Sequence, residues 1–313
     1  MKILSFDLKL IGLIFIVLLF FASNSILASM AIFTQNIDAF SFTFVRIISA
    51  MFVLLVIYFY KNKNLKISLK TNYLSGFMFF LYAICFSYSY INMAAGIGTL
   101  ILFAVVQLTM IILALFLNEK LTLKKIIGIA IAFAGLIYLL YPKDDFTISY
   151  FHAFLMFLAG IGWAIFSVLG KKSNNATLNA TDSFVKAFIF TILFAIFYLF
   201  FFGNSLKIDF YTFILSTLSG SITTAFGVFI WYAILPKIQI MTASIVQLIV
   251  PIIAIVLSIV FLNELFTFEL FISTVTILLG IFIALYKASV SRYCSKYAYS
   301  TSSASYSLDV YDE

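Results

Sequence analysis

The side chains best suited to chemistry in this chain are polar groups placed inside long apolar stretches. Asn24 and Gln247 each carry an uncharged amide with hydrogen-bond donors and an acceptor, and Trp163 adds a large ring with an N–H donor. A pocket for a small molecule needs an apolar wall with a few placed polar groups. We therefore predict that these three residues bind a small polar solute, with Ser244 and Trp231 as further candidates.

The same residues also have a purely structural interpretation. Small and polar side chains on one face of a helix allow close packing or hydrogen bonding between helices in a membrane. Trp231 lies nearer the end of its apolar stretch, where an interfacial aromatic belt is common, whereas Trp163 lies near the middle. Pro251, in the same stretch as Gln247, is expected to act as a helix hinge.

Two cations, Arg46 and Lys186, fall inside apolar stretches. Charges within a membrane are costly and are often functional. Each of the two lies only a few residues from the predicted end of its stretch. We therefore expect both long side chains to reach water at the membrane interface.

Several kinds of chemistry are disfavoured by what the sequence lacks. The predicted membrane spans carry no Asp or Glu near their middle, which argues against a proton relay through embedded carboxylates. The chain has 1 His, too few for a metal hydrolase, and no glycine-rich phosphate loop for ATP. Its basic residues are scattered over short loops, which does not favour nucleic-acid binding. We expect no enzymatic activity, no metal and no cofactor.

The elements that must position these residues are membrane helices. Of the 313 residues, 64% are hydrophobic and 10% are charged, against about 25% charged residues in soluble domains. A helix needs roughly 20 apolar residues to cross a bilayer, and isolated segments in lipid must satisfy their own backbone hydrogen bonds. We predict an all-α polytopic membrane protein with ten transmembrane helices, at residues 8–30, 42–60, 73–91, 97–117, 123–141, 151–169, 184–202, 211–235, 240–262 and 269–287.

The basic residues indicate the orientation of these spans. Of the 19 Lys and Arg residues, 15 fall on one side of the ten-span arrangement, and the opposite loops hold only Lys143 and Lys207. An excess of Lys and Arg marks the cytoplasmic side of a membrane protein. We expect an integral inner-membrane protein with both termini in the cytoplasm.

An internal repeat is indicated by the ends of spans four and nine. Both end in Phe-Leu-Asn-Glu, with Glu119 and Glu264 separated by 145 residues, although Asn-Glu could also be an interfacial stop signal. Five spans per half is an odd number, so the second half would be inverted relative to the first. We expect a first five-helix repeat at 1–141, a second, inverted repeat at 142–287 and a disordered cytoplasmic tail at 288–313. The 145-residue offset also relates Thr122 to Thr267 and Gly135 to Gly280.

The first span has an alternative interpretation as a signal peptide. Lys2 and Lys9 come before an apolar stretch, and Ser29-Met30-Ala31 has the small residues of a cleavage site. Cleavage would leave nine spans and remove the arrangement of five plus five, so we retain the first span.

The order and spacing of these features resemble the EamA family of the drug/metabolite transporter superfamily. The resemblance covers about residues 8 to 287. Two positions depart from the pattern, because Val106 stands where the first half would match Pro251, and Phe21 stands where Trp is common in the first span. The resemblance is carried by Arg46 in span two, the Leu-Asn-Glu endings, Gly135 and Gly280, Trp163-Ala164 with Lys171-Lys172, and Pro251.

The resemblance implies a secondary transporter for small metabolites that works by alternating access, with export of amino acids or related compounds favoured. Members of this family are more alike in fold than in substrate. The expected partners are a small-molecule substrate and membrane lipids, for a monomer or a homodimer. The alternative is a membrane scaffold or regulatory subunit that keeps the fold without transport. A lipid-modifying enzyme is disfavoured by the missing acid and base groups.

Overall fold

The computed structural model describes residues 8–33, 37–63, 72–119, 122–140, 149–171, 175–202, 207–263 and 268–285. Within these ranges the chain forms helices and no strand. Along the chain they are α1 Leu8–Phe33, α2 Ala39–Asn62, α3 Tyr73–Ser89, α4 Ala95–Phe116, α5 Leu123–Leu140, α6 Tyr150–Lys171, α7 Ala176–Phe202, α8 Phe210–Leu218, a π-helix Ser219–Phe226, α9 Gly227–Ile234, a 3-10 turn Leu235–Lys237, α10 Ile240–Gln247, α11 Ile249–Leu262 and α12 Phe268–Leu285.

Among the described residues, seven helical segments are long and apolar enough to cross a membrane. One of them, Phe210–Lys237, is continuous through α8, the π-helix and α9, and another, Ile240–Leu262, joins α10 and α11. Tyr73–Ser89 and Phe271–Ala284 are shorter apolar helices. The prediction of an all-α polytopic membrane protein is confirmed, while the count of ten spans and their inversion stay predictions.

Side-chain caps explain where several helices begin. Asp38 accepts a hydrogen bond from the backbone N–H of Ser41 at 2.9 Å and so caps α2. Asp209 accepts from the backbone N–H of Thr212 at 2.7 Å and caps α8. These two caps lie at one predicted membrane surface, where helices must end in polar loops.

Helix α7 begins at Ala176, eight residues before the predicted start of span seven at 184. Asn175 accepts a hydrogen bond from the backbone N–H of Leu178 at 3.1 Å, as an N-cap does. The predicted boundary was wrong because the mostly polar segment 177–183 is typical of a loop, whereas every residue of it except Leu178 is buried within the protein. This correction brings Asp182 into a helix.

The most extensive packing joins helices that are distant in the chain: α5 with α12, α3 with α6 and α7, α4 with α6, and α2 with α7 and the π-helix. Helix α1 packs against α9, α11 and the π-helix. The buried core therefore lies where helices from residues 8–140 meet helices from residues 150–285. The regions 142–149 and 286–313 are largely outside the described residues, so the expected repeat boundary and disordered tail stay predictions.

Candidate functional site

A cluster of hydrogen-bonded polar side chains lies at this junction, and we call it the polar centre. Its members come from α1, α2, α3 and the π-helix, and none is more than 5% exposed. It therefore joins three helices of the first half of the chain to one segment of the second half. The members are Asn24, Arg46, Tyr82, Ser219, Thr223 and Thr224.

Arg46 is the charged member of the polar centre. Its Nε donates to Oγ1 of Thr224 at 3.1 Å, and its Nη2 donates to the hydroxyl of Tyr82 at 2.9 Å. The guanidinium carbon lies 5.1 Å from the ring centre of Tyr82 and 5.0 Å from that of Phe86. The expectation that Arg46 reaches water is wrong, because these residues cover the guanidinium and leave Arg46 1% exposed.

Asn24 connects α1 to both neighbouring elements. Its Oδ1 accepts hydrogen bonds from Ser219 at 2.6 Å and from Thr223 at 3.3 Å, and its Nδ2 donates to the Tyr82 hydroxyl at 3.3 Å. Asn24 lies midway along α1. The structure thus places this predicted site residue among buried polar partners from α3 and the π-helix.

The π-helix explains how one segment reaches two partners. Its wider turn brings Thr223 to Asn24 and the adjacent Thr224 to Arg46. A Cβ added at Gly220 would overlap the backbone carbonyl of Arg46, so α2 approaches at a glycine. π-Helical turns often occur at functional sites. The sequence of this segment predicts an ordinary helix, because its apolar periodicity contains no signal for the wider turn.

Trp163 and Gln247 form a second pair beside the polar centre. Nε1 of Trp163 donates to Oε1 of Gln247 at 2.8 Å. The Trp163 ring lies 5.0 Å from the ring of Tyr82 and 4.8 Å from that of Phe21. Gln247 also donates through Nε2 to Sδ of Met110 at 3.3 Å. The structure therefore brings the three principal candidates of the sequence analysis together, with Tyr82 between Asn24 and Trp163.

The remaining candidates, Trp231, Ser244 and Pro251, are also buried. Trp231 is fully buried and donates to Oγ of Ser167 at 3.3 Å, so the aromatic-belt interpretation of Trp231 is wrong. The hydroxyl of Ser244 is used locally, on the backbone carbonyl of Met241 at 2.9 Å. Pro251 is buried in the first turn of α11, immediately after the break between α10 and α11.

Two residues of this region were missed by the sequence analysis. Gln107 in α4 is 1% exposed, and neither atom of its amide has a hydrogen-bond partner within the described ranges. The criterion used for Asn24 and Gln247, an amide in an apolar stretch, would have found it. Tyr82 carries no comparable signal, because tyrosine is common in the apolar stretches of this chain.

Lys186 is fully buried and forms an ion pair with Asp182, one turn earlier on α7. Nδ2 of Asn72 donates to the other carboxylate oxygen of Asp182 at 2.7 Å. The expectation that Lys186 reaches water is therefore wrong, because the early start of α7 supplies a partner inside the protein. Asp182 is also an embedded acidic group that the predicted spans did not contain.

Glu119, expected as a marker of the repeat, connects the two halves of the chain. Its carboxylate accepts hydrogen bonds from the backbone N–H groups of Ile240 at 2.9 Å and Met241 at 3.1 Å, at the start of α10. A carboxylate at this position accepts hydrogen bonds from N–H groups that have no partner within the helix. Its negative charge also interacts favourably with the positive end of the helix dipole. Its predicted counterpart Glu264 lies outside the described residues. In the described part of the chain, no three His, Cys, Asp or Glu residues are grouped to hold a metal.

Comparison with known proteins gives two relatives that match most of the chain. An uncharacterized protein of Pseudomonas aeruginosa is 30% identical over 258 residues, which cover 82% of this chain and 88% of the relative. An uncharacterized transporter of Archaeoglobus fulgidus is 25% identical over 201 residues, covering 63% of this chain and 70% of the relative.

A solved crystal structure of another protein shares the fold. Its TM-score is 0.70 at 14% identity, with 89% of this chain and 97% of that chain covered. At this identity the likeness shows the fold alone.

The family is decided by a match that occurs twice. The sequence model of the EamA-like transporter family matches residues 8–141 and again residues 151–286. The two matches confirm the internal repeat and the family resemblance, and they place the polar centre between the two copies. The chain belongs to the EamA-like transporter family.

Proposed function

We propose that this chain is a secondary transporter that moves small metabolites across the inner membrane by alternating access, and that it exports amino acids or related compounds. Both termini would lie in the cytoplasm. The observation that carries the proposal is the polar centre, which is built from both family repeats. Transporters with internal repeats commonly bind their substrates where the repeats meet, near the middle of the membrane.

The hydrogen bonds across the repeats support this location. Asn24 and Arg46 belong to the first match of the family, and their partners Ser219, Thr223 and Thr224 belong to the second. Asn24 lies midway along α1, as Trp163 does along α6. A movement of one repeat relative to the other would therefore change the contacts of the same side chains that would hold a solute.

The degree of burial supports alternating access. The side chains of the polar centre, together with Trp163 and Gln247, are at most 5% exposed, so a solute needs a conformational change to enter. The break between α10 and α11 offers a place for such a change. Pro251 has no N–H to donate to the carbonyl of Gln247, which is four residues earlier, and this weakens the helix beside Gln247.

The chemistry of the region supports small solutes that are partly apolar and partly polar. The rings of Phe21, Tyr82 and Trp163 provide an apolar wall. The amides of Asn24 and Gln247 and the hydroxyls of the π-helix provide hydrogen bonds. Amino acids combine an apolar side chain with hydrogen-bonding groups, which suits such a surface.

The test is efflux from proteoliposomes that contain the purified protein and a mixture of the common amino acids. We expect saturable, protein-dependent release of a subset of them, measured by mass spectrometry against protein-free vesicles. Asn24→Leu should lower the rate per folded protein, because it removes the amide that joins α1 to the π-helix. Gly12→Ala is the matched control on the same helix, since its Cβ would meet no atom within 4 Å.

The outcomes separate the alternatives. Folded protein with no flux of any compound would favour the membrane scaffold. Chemical conversion of a compound would favour an enzyme. Saturable flux that is unchanged in Asn24→Leu would support transport but would show that the solute binds outside the polar centre.

A further inference from the structure

On the basis of the proposed transport function, we infer that the transported solute carries a carboxylate and that the guanidinium of Arg46 binds it. The solute would enter the polar centre with its carboxylate beside Nη1 of Arg46. Its remaining part would lie towards Tyr82 and Trp163, whose rings are 5.0 Å apart.

The charge of Arg46 is the first reason. An arginine side chain stays charged in proteins, and Arg46 is 1% exposed. Within the described ranges its partners are the hydroxyls of Thr224 and Tyr82 and the ring faces of Tyr82 and Phe86, none of which carries a negative charge. No carboxylate of the described residues forms an ion pair with it. A buried charge without an opposite charge is unfavourable, so the centre favours the entry of an anion.

The contrast with Lys186 is the second reason. Arg46 and Lys186 occupy similar places in the second helices of the two repeats. Lys186 has its own carboxylate, Asp182, one turn away on the same helix. The protein thus supplies an internal anion to one embedded cation and, within the described residues, none to the other.

The free donor of Arg46 is the third reason. Nε and Nη2 are both used in hydrogen bonds, but Nη1 is buried and has no hydrogen-bond partner among the described residues. Leaving a buried charged donor unpaired is costly. A guanidinium whose role was purely structural would gain by pairing this nitrogen with a neighbouring helix, whereas a binding group keeps it available. The bonds from Nε and Nη2 hold the planar group in position for a ligand at Nη1.

The size of the charge favours a carboxylate over a phosphate. A phosphate monoester carries about −1.5 to −2 charges near neutral pH and has three strong acceptor oxygens. The polar centre offers one cation, and the other embedded cation is already paired with Asp182. One carboxylate balances one guanidinium and can accept two parallel hydrogen bonds from it.

The test compares matched compounds in proteoliposomes that contain the full chain. The probes are the common amino acids, the same amino acids as amides, their decarboxylated amines, and glycerol phosphate as the phosphate arm. Flux is measured by mass spectrometry, and the value from protein-free vesicles is subtracted. The quantity of interest is the ratio of the flux of each acid to the flux of its amide, because this ratio does not depend on how much protein has folded.

We expect the wild-type chain to transport the acids in preference to the amides and amines. In Arg46→Gln the ratio of acid flux to amide flux should fall about 10- to 100-fold, because a fall of this size corresponds to the loss of a hydrogen bond to a charged group. The double variant Asp182→Asn with Lys186→Gln is the matched control. It removes the other buried pair and should leave the ratio unchanged.

Three results would overturn the inference while the proposed transport function stands. They are wild-type flux of the amides equal to that of the acids, a preference for glycerol phosphate, and an unchanged ratio in Arg46→Gln. The first two need no variant, so they remain decisive if Arg46→Gln does not fold. Absence of flux for every probe would instead contradict both the proposed transport function and the inference that the solute carries a carboxylate.

Discussion

At the scale of single residues, the candidate site depends on polar groups that hold one another in place. A neutral hydrogen bond contributes about 0.5–1.5 kcal/mol, but leaving its buried partner unsatisfied costs about 1–3 kcal/mol. The hydrogen bond from Trp163 to Gln247 is a buried, neutral one, since the two residues are 4% and 1% exposed. Each therefore constrains the other, and substitution of one changes the position of both.

Trp163→Phe tests this pair directly. The substitution keeps an aromatic ring against Phe21 and Tyr82 but removes the N–H that Oε1 of Gln247 accepts. We expect a loss of about 1–3 kcal/mol in the free energy of unfolding and a lower efflux rate per folded protein. The double variant with Gln247→Met should lose less than the sum of the single variants, because it removes both members of the bond.

Larger truncations separate binding from packing. Trp163→Ala and Gln247→Ala are each expected to lower flux while the protein still inserts and accumulates. Transport rate normalised to folded protein is the measurement. If the normalised rates of both variants equal that of the wild type, these residues are helix-packing groups and the solute binds elsewhere.

At the scale of elements, two irregular helices surround the site. The π-helix Ser219–Phe226 presents its hydroxyls to α1 and α2, and α10 is interrupted at Leu248 before α11 begins. Regular helices would satisfy more backbone hydrogen bonds in lipid. Irregular backbone at membrane depth is tolerated where it is buried in protein, and five residues of the π-helix, Ser219, Gly220, Thr223, Thr224 and Ala225, are buried.

Gly220→Ala tests the contact between the π-helix and α2. The added methyl would overlap the carbonyl of Arg46 and the hydroxyl of Ser49, so the two helices would have to separate. We expect a clear loss of folded protein in membranes and a lower thermal midpoint in detergent. Gly12→Ala, on the open face of α1, should show neither effect, since nothing lies within 4 Å of its added Cβ. Equal stability of the two variants would contradict the close approach.

Pro251→Ala tests the break in the ninth predicted span. Alanine restores an N–H that can donate to the carbonyl of Gln247, and it allows α10 and α11 to continue as one helix. We expect the thermal midpoint to be equal or higher and the efflux rate per folded protein to be lower. An efflux rate as fast as that of the wild type, with an unchanged midpoint, would show that the break has no part in transport.

At the scale of the whole molecule, both family repeats contribute side chains to the candidate site. Glu119 belongs to the first repeat and caps α10 of the second, which joins the repeats at one end of the helical core. The orientation of the repeats relative to the membrane rests on the distribution of Lys and Arg in the sequence. It stays a prediction until the loops are located.

Single cysteines provide the topological measurement. They are placed at Asn64 and Asp145, both outside the described residues, in a background that lacks Cys85 and Cys294. We expect an impermeant thiol reagent to label Asn64→Cys from the cytoplasmic side and Asp145→Cys from the opposite side. Labelling of both from the same side would contradict the inverted repeat.

The sequence by itself determined the class of the protein, its repeat and several residues of the candidate site. Long apolar stretches predict membrane helices, because the bilayer imposes the same requirement on every residue of a span. The matching ends of spans four and nine revealed the repeat. Asn24, Trp163 and Gln247 were found because amides and a central tryptophan are unusual in such stretches.

Tertiary structure alone decided which polar side chains are buried and which residues they form hydrogen bonds or ion pairs with. The periodicity of one helix describes that helix, whereas Arg46 is covered by Thr224, which lies 178 residues away in the chain. The pairing of Lys186 with Asp182 depends on polar turns of α7 that other helices shield from lipid and water. The π-helix likewise exists where α1 and α2 provide partners for its hydroxyls. Hydropathy assigns each residue to lipid or water, but an embedded polar group is stabilised by a third environment, the side chains of distant helices, which only the folded chain assembles.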